Sequence, residues 1–171
     1  MRLPIVLDTC TILNLLRIDE DEFLYKKLIK LEINICQSVF DEANRNVRTK
    51  TFSENQRKYI SSHTPQLVPF IIRCDEQFEK EYKACIQEFC AYKKENGEFY
   101  STLISLYLCR QKHCRLYFYT DDYPAKCVFD SFFNYQQIGV IGDTIDLLVF
   151  LYWSNPDFDQ RKLEKYLQNL L

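Results

Sequence analysis

A chain of 171 residues, 47% hydrophobic and 15% aromatic, is long enough to bury one ordinary core and too apolar to be disordered. Three glycines and five prolines leave little room for flexible linkers, and no apolar run approaches the length that spans a bilayer. A formal net charge of −2 argues against a wholly basic, general polyanion-binding surface, although acids gathered at one site can mask local basic patches.

The chain opens on a short apolar run, Leu3 to Leu7, with β-branched Ile5 and Val6, as expected of a strand buried on both faces of a parallel sheet. The run is too short for a signal peptide and is closed by Asp8. Thr9-Cys10-Thr11 then leads into Ile12 to Leu16, the first turns of a helix. An acid at the carboxyl end of a buried first strand stands where open α/β sheets bind ligands. It is equally suited to cap the helix.

The acids Asp19-Glu20-Asp21-Glu22 precede a helical stretch, Phe23 to Leu31, with lysines near its end, which suits the helix dipole and calls for no further role. Ile33 to Cys36 is the expected second strand. Ser38 followed by Asp41 resembles a capping box, which places Glu42 one turn into a helix, able to point back over the strand end, although by position alone an acid there is first of all good helix-dipole chemistry. A polar stretch with Arg45, Arg48, Lys50, Arg57 and Lys58 follows. Residues 46–96 read as a helical arm or cap inserted in a single domain spanning 1–171, its longest helix covering Asp75 to Lys94 and ended by Asn96-Gly97.

Glu98 opens a strongly apolar, hence buried, helix to Gln111, whose basic tail up to Arg115 falls at the edge opposite the strand ends. Leu116 to Thr120 is the clearest internal strand and ends in Asp121-Asp122, with Pro124 in a position that helix starts tolerate. Gln137 to Ile141 predicts a fourth strand, Ile145 to Tyr152 an apolar helix and Asp157 to Leu171 an amphipathic one. Strands alternating with helices indicate a three-layer α/β/α sandwich with a mainly parallel central sheet. The eight cysteines include no Cys-x-x-Cys pair, and Cys36, Cys90, Cys109 and Cys127 lie among apolar residues, so reduced thiols in a cytoplasmic protein are expected rather than a zinc site.

Asp8, Glu42 and Asp121-Asp122 thus follow predicted strands, and Glu98 starts a buried helix that can reach the same edge. Right-handed crossovers bring these strand ends to one side of the sheet. Converging carboxylates repel unless neutralised, and Mg2+ or Mn2+, hard cations that prefer oxygen ligands and keep several waters, answer that need.

The pattern resembles the PIN-domain nucleases, which include the toxin halves of many bacterial toxin–antitoxin pairs. The matching pieces are Ile5-Val6-Leu7-Asp8-Thr9 with Leu13, Leu15 and Leu16; Ser38 to Glu42; Gly97-Glu98; Thr120 to Ala125; and Val140 to Leu148, with Gly142 and Thr144 before the closing helices. The resemblance implies catalytic, metal-binding roles for Asp8, Glu42, Glu98 and Asp122, with Asp121 as rival or helper of Asp122. It further implies a magnesium- or manganese-dependent ribonuclease. Cys10 departs from the small polar Ser or Asn that many members carry beside the first acid.

Arg45, Lys93 and Lys126 are placed to hold phosphates, and equally placed to be ordinary solvated cations. The expected partners are RNA, with an antitoxin protein or a second copy of the chain beyond it, and no membrane. Two other readings compete. One is a PIN-like module without catalysis that binds protein or RNA, against which the retention of all four acids speaks. The other is a receiver-like phosphate-binding protein, for which the Gly-rich phosphate loop is lacking.

Overall fold

A computed structural model describes residues 3–19, 21–49 and 52–170. Glu20 of the acidic run, Lys50 of the basic stretch, Thr51 within the expected arm and the terminal Leu171 lie outside the described residues. Among those described, β1 (Ile5–Leu7), β2 (Ile33–Asn34), β3 (Leu116–Tyr119) and β4 (Gly139–Gly142) form one parallel sheet in the order β2-β1-β3-β4. β1 has neighbours on both sides and buries all three of its residues, which is why its sequence is apolar without alternation.

Chain direction across the sheet reverses at β1. The connection from β1 runs one way, to β2, and every later connection runs the other way, to β3 and β4. Right-handed crossovers then place α1 (Thr9–Ile18) on one face and α6 (Gly97–Lys112) and α7 (Tyr123–Tyr135) on the other. The packing agrees. α8 (Thr144–Ser154) and α9 (Gln160–Leu170) lie against α1, whereas α6 lies against β1 and β3. The gap between β1 and β3 is therefore the point at which strand order switches, and its carboxyl-end crevice is where such sheets place ligands.

The register sharpens this. Leu7 is level with Tyr119, and Tyr119 with Gly142. Asp8 N donates to Tyr119 O (3.0 Å) and Thr120 N to Gly142 O (3.0 Å). Strands β1, β3 and β4 thus end flush, and the residues after them leave the sheet at one level.

Residues 52–96 are helical, as expected: α4 (Glu54–His63), a 3-10 segment (Thr64–Phe70) and α5 (Glu76–Phe89), with an isolated bridge from Ile35 to Ile71. They cover the body as a cap does, rather than standing off as an arm. α4 packs on α1 and on α3 (Gln37–Thr49), α5 packs on α6, and Ile60, Leu67 and Ile86 are buried. Apolar residues on one face of each helix need a partner, and the body supplies it.

Several boundaries differ from the sequence reading. α2 (Phe23–Leu28) stops short of Leu31, and α3 begins at Gln37, so Ser38 lies inside the first turn with its hydroxyl on the Cys36 thiol (3.1 Å) instead of closing a capping box. α5 ends near Phe89, not Lys94. Ala91 takes a left-handed φ of 49°, with Ala91 N donating to Glu88 O (3.3 Å) and Tyr92 N to Gln87 O (3.1 Å). That is a Schellman turn built on alanine where glycine is usual, and no glycine announced it. Asn96-Gly97, read as a helix stop, is a helix start: Asn96 is the N-cap of α6, its Oδ1 accepting from Phe99 N (3.3 Å). Asparagine serves either end, and the preceding helix had already finished.

Candidate active site at the strand ends

Asp8 follows β1 and is 2% exposed. It occupies the N-cap position of α1, yet its side chain makes no capping bond. Its Oδ2 instead accepts from Thr120 Oγ1 (3.0 Å) and from the Cys10 thiol (3.0 Å). Its Oδ1 is buried with no hydrogen-bond partner among the described residues. Burial pushes the Asp8 carboxyl above its ordinary value, and the Glu42 charge adds to it, against the lowering effect of Cys10, the nearby Thr9 N–H and Thr120. Cys10 also accepts from Asp121 N (3.1 Å), and burial first, then the Asp8 charge, pushes its thiol up to about 12. Cys10 is therefore a neutral donor to Asp8.

Glu42, in the second turn of α3, reaches back over the sheet as its helical offset requires. Its Oε2 accepts from Thr9 Oγ1 (3.2 Å) and its Oε1 from Asn46 Nδ2 (3.4 Å). Gly97 ties Glu42 to Asp8. A Cβ built on it would stand 3.1 Å from Glu42 Oε2 and 3.3 Å from Asp8 Oδ1. Two carboxylates therefore approach the bare backbone at the start of α6, an approach that any side chain there would crowd.

Glu98 comes next on α6, half-buried, with Oε2 buried and unpartnered among the described residues. Burial, the Asp8 charge, and then Asp122 and Glu42 raise its carboxyl to about 7. Four predicted acids are thus electrostatically joined in one neighbourhood. Glu42 and Glu98 line a cleft of about 580 Å³ together with Gly97, Ser38, Asn46 and Arg45.

The two acids after β3 divide. Asp121 is consumed by structure: Oδ1 accepts from Thr144 N (2.9 Å), and Oδ2 from Asn14 Nδ2 (2.9 Å), from Thr11 Oγ1 (3.4 Å) and from the Thr144 hydroxyl. It binds the starts of α1 and α8 to the end of β3. Asp122 caps α7 through Oδ1, which accepts from Ala125 N (2.8 Å), and its own N–H donates to Thr120 Oγ1 (3.1 Å). Its charge is among those that raise the Glu98 carboxyl.

The predicted cations sit less centrally. Arg45 is exposed on the lip of the cleft. Lys93 is exposed in the loop before α6, outside the residues that line it. The Lys126 ammonium is turned to Asp143 (3.1 Å). Thr120, whose hydroxyl joins Asp8 to the Asp122 backbone, and Asn46, one turn beyond Glu42, are site residues that the sequence reading passed over. The Glu42/Asn46 spacing of four was the available signal for the second.

Among the described residues no group of three His, Cys, Asp or Glu side chains is arranged to hold a metal ion. The donor set nonetheless fits Mg2+ or Mn2+: it is made of carboxylate oxygens, two of which are buried and orphaned, and these ions take one or two carboxylates directly and keep water for the rest. Asp8, Glu98, Glu42 and Asp122 are the carboxylates that would hold the ion. No family model, no curated protein and no solved structure matches the chain, so the reading of this site rests on its own residues.

Proposed function

We propose that the chain is a divalent-metal-dependent ribonuclease of PIN-like fold whose catalytic centre is Asp8, Glu42, Glu98 and Asp122. The observation that carries the reading is the pair of buried, unpartnered oxygens, Asp8 Oδ1 after β1 at the switch point of the sheet and Glu98 Oε2 in the first turn of α6, next to the Gly97 backbone that Asp8 approaches. A buried carboxylate oxygen left without a donor costs stability, and a fold retains it where a ligand completes it. When bound, Mg2+ or Mn2+ supplies an activated water and a counter-charge for the phosphate oxygens.

The chain's own contribution is placement. Thr120 and Cys10 fix one Asp8 oxygen, and the other is left unpartnered beside the Gly97 backbone. Thr9 and Asn46 hold the Glu42 carboxylate, and Gly97 leaves room for it beside Asp8. Glu98, which burial and the neighbouring acids push up in the metal-free protein, presents a carboxylate whose charge a bound cation would offset. Arg45 on the lip supplies positive charge for a phosphodiester backbone in an otherwise acidic cleft. Asp121 stays outside the chemistry.

The test is cleavage of structured and unstructured RNAs with and without manganese. Wild type is expected to cut only with metal; Asp8→Asn and Glu98→Gln are expected to fold and not to cut. Metal-independent cutting, or full activity in both variants, would refute the proposal.

A further inference from the structure

Beside the acidic cleft lies a second hollow of about 550 Å³, and the same two helices wall both. On α3, Ser38, Glu42 and Arg45 face the cleft, while Gln37, Ser38 and Asp41 face the hollow. On α6, Gly97 and Glu98 face the cleft, and Tyr100, Leu103 and Ile104 face the hollow. Ser38 therefore belongs to both. Tyr100 links them again, because its hydroxyl donates to Glu95 Oε2 (3.2 Å) and Glu95 lines the cleft. Along α3, Ser38 and Glu42 are one turn apart, about 6 Å of helix axis.

The hollow differs from the cleft in chemistry. Its floor is apolar, made by Leu103 and Ile104 from α6 with Ile72 and Cys74 from the segment before α5, and Tyr100 adds an aromatic wall. Across its mouth runs a hydrogen-bonded string: Arg73 Nη2 donates to Gln37 Oε1 (3.2 Å), and Gln37 Nε2 to Asp41 Oδ1 (3.0 Å). Glu76 and Glu79 complete the rim. Three carboxylates against one guanidinium repel a phosphate. An uncharged, flat ring with hydrogen-bond donors on its edge meets no such barrier, and an apolar cavity with a few convergent polar groups is how ring ligands are held.

We propose that this hollow is a nucleobase subsite, which receives an unstacked base of single-stranded RNA whose backbone lies in the cleft, and that it favours guanine. Guanine's pairing edge carries two N–H donors beside a carbonyl; Asp41 can accept from the donors, and Arg73 can donate to the carbonyl once Gln37 turns aside. Uracil offers one donor between two carbonyls and meets an acidic rim. Bases splayed from single strands are read in this way, by a ring slot and by polar groups along the pairing edge. The inference deepens the ribonuclease reading and rests on it for the cleft's occupant.

Nucleosides test it without phosphate, metal or catalysis, so its failure is separate from failure of the nuclease reading. In protein with isotope-labelled isoleucine methyl groups, guanosine is expected to shift Ile72 and Ile104 saturably and at least about 5-fold more tightly than uridine. Asp41→Lys, an exposed change, is expected to abolish that preference. Cys74→Phe, which fills the hollow, is expected to abolish the shifts for both nucleosides, with the Ile5 and Ile12 methyls reporting an intact core. No saturable shift, equal affinity for the two nucleosides, or a guanosine preference that survives Asp41→Lys would overturn the proposal, and the surface variant decides the matter should the filled one fail to fold.

Discussion

Asp8 and Asp19 stand at the two ends of the same helix, and each is 2% exposed. Their surroundings are opposite. Asp19 accepts from Leu24 N (3.0 Å), Tyr25 N (2.8 Å) and the Tyr59 hydroxyl (2.7 Å), so both oxygens are used and α2 and α4 are tied to α1. Asp8 has donors on one oxygen and none on the other. Equal burial therefore says nothing about role. What separates a structural acid from a candidate catalytic one is whether the protein itself completes its hydrogen bonds.

The sharpest way to break this comparison is to remove each charge. Asp8→Asn is expected to lower RNA cleavage by about 10³-fold, the scale of losing one electrostatic element of an active site. It should leave the metal-free melting temperature unchanged or raised, because it relieves repulsion with Glu42 and Glu98. Manganese should stabilise wild type, by about 2.7 kcal/mol at a hundredfold excess over Kd, and not the variant. An identical response to manganese in both proteins would place Asp8 with Asp19 as a structural residue.

Asp19→Ala should do the reverse. Three donors lose a charged acceptor, two of them backbone amides at the start of α2, and a loss of about 3 kcal/mol is expected, roughly 10 °C in Tm. The manganese response should survive. Calorimetry with and without metal measures both effects.

Protonation sharpens the comparison further. Glu98 is raised to about 7 from an ordinary 4.5, so the folded protein holds its proton more tightly than the unfolded chain does. Its contribution to stability is then greatest at acid pH, falls as pH rises from about 4.5 through about 7, and stays lost above that. Asp8, also raised, acts in the same direction. Metal-free wild type should therefore melt lower at pH 8 than at pH 6, Glu98→Gln should flatten that slope, and saturating manganese should reverse it. A metal-free wild type that gains stability from pH 6 to pH 8 with the same slope in Glu98→Gln would contradict the raised carboxyl.

The smallest effect lies far from either aspartate. Ala91→Gly relieves the left-handed strain that ends α5 and is expected to stabilise by about 1 kcal/mol, a few degrees, with no change in metal response.

Much of this was legible in the sequence because it depends on local pattern. β1 and β3 are unbroken apolar runs closed by acids, and their partners in the sheet followed from alternation with helices. Asp8 and Glu42 could be named from their offsets after strands. The division of labour between Asp121 and Asp122 could not, since it depends on Thr11, Asn14 and Thr144 arriving from distant parts of the chain to satisfy one of them. The end of α5 was illegible for a different reason: an alanine took a conformation that alanine normally avoids. The helices between α3 and α6 were readable as helices, but their docking on α1, α3 and α6 was not, because an apolar face does not say which surface covers it.

The middle of the sheet has a consequence for how the chain is made. β1 pairs on one side with β3, and Thr120 reaches Asp8 across 112 positions. At roughly 5–20 residues per second, a ribosome takes about 6–20 s to bring that partner out after Asp8 has emerged. During that interval the apolar first strand has only the two-residue β2 beside it, and Asp8, Glu42 and Glu98 exist without Asp122. The strand-end cluster is thus assembled only once Thr120 and Asp122 have been synthesised, and a nascent product that lacks β3 carries Asp8, Glu42 and Glu98 without the strand that brings Thr120 to Asp8.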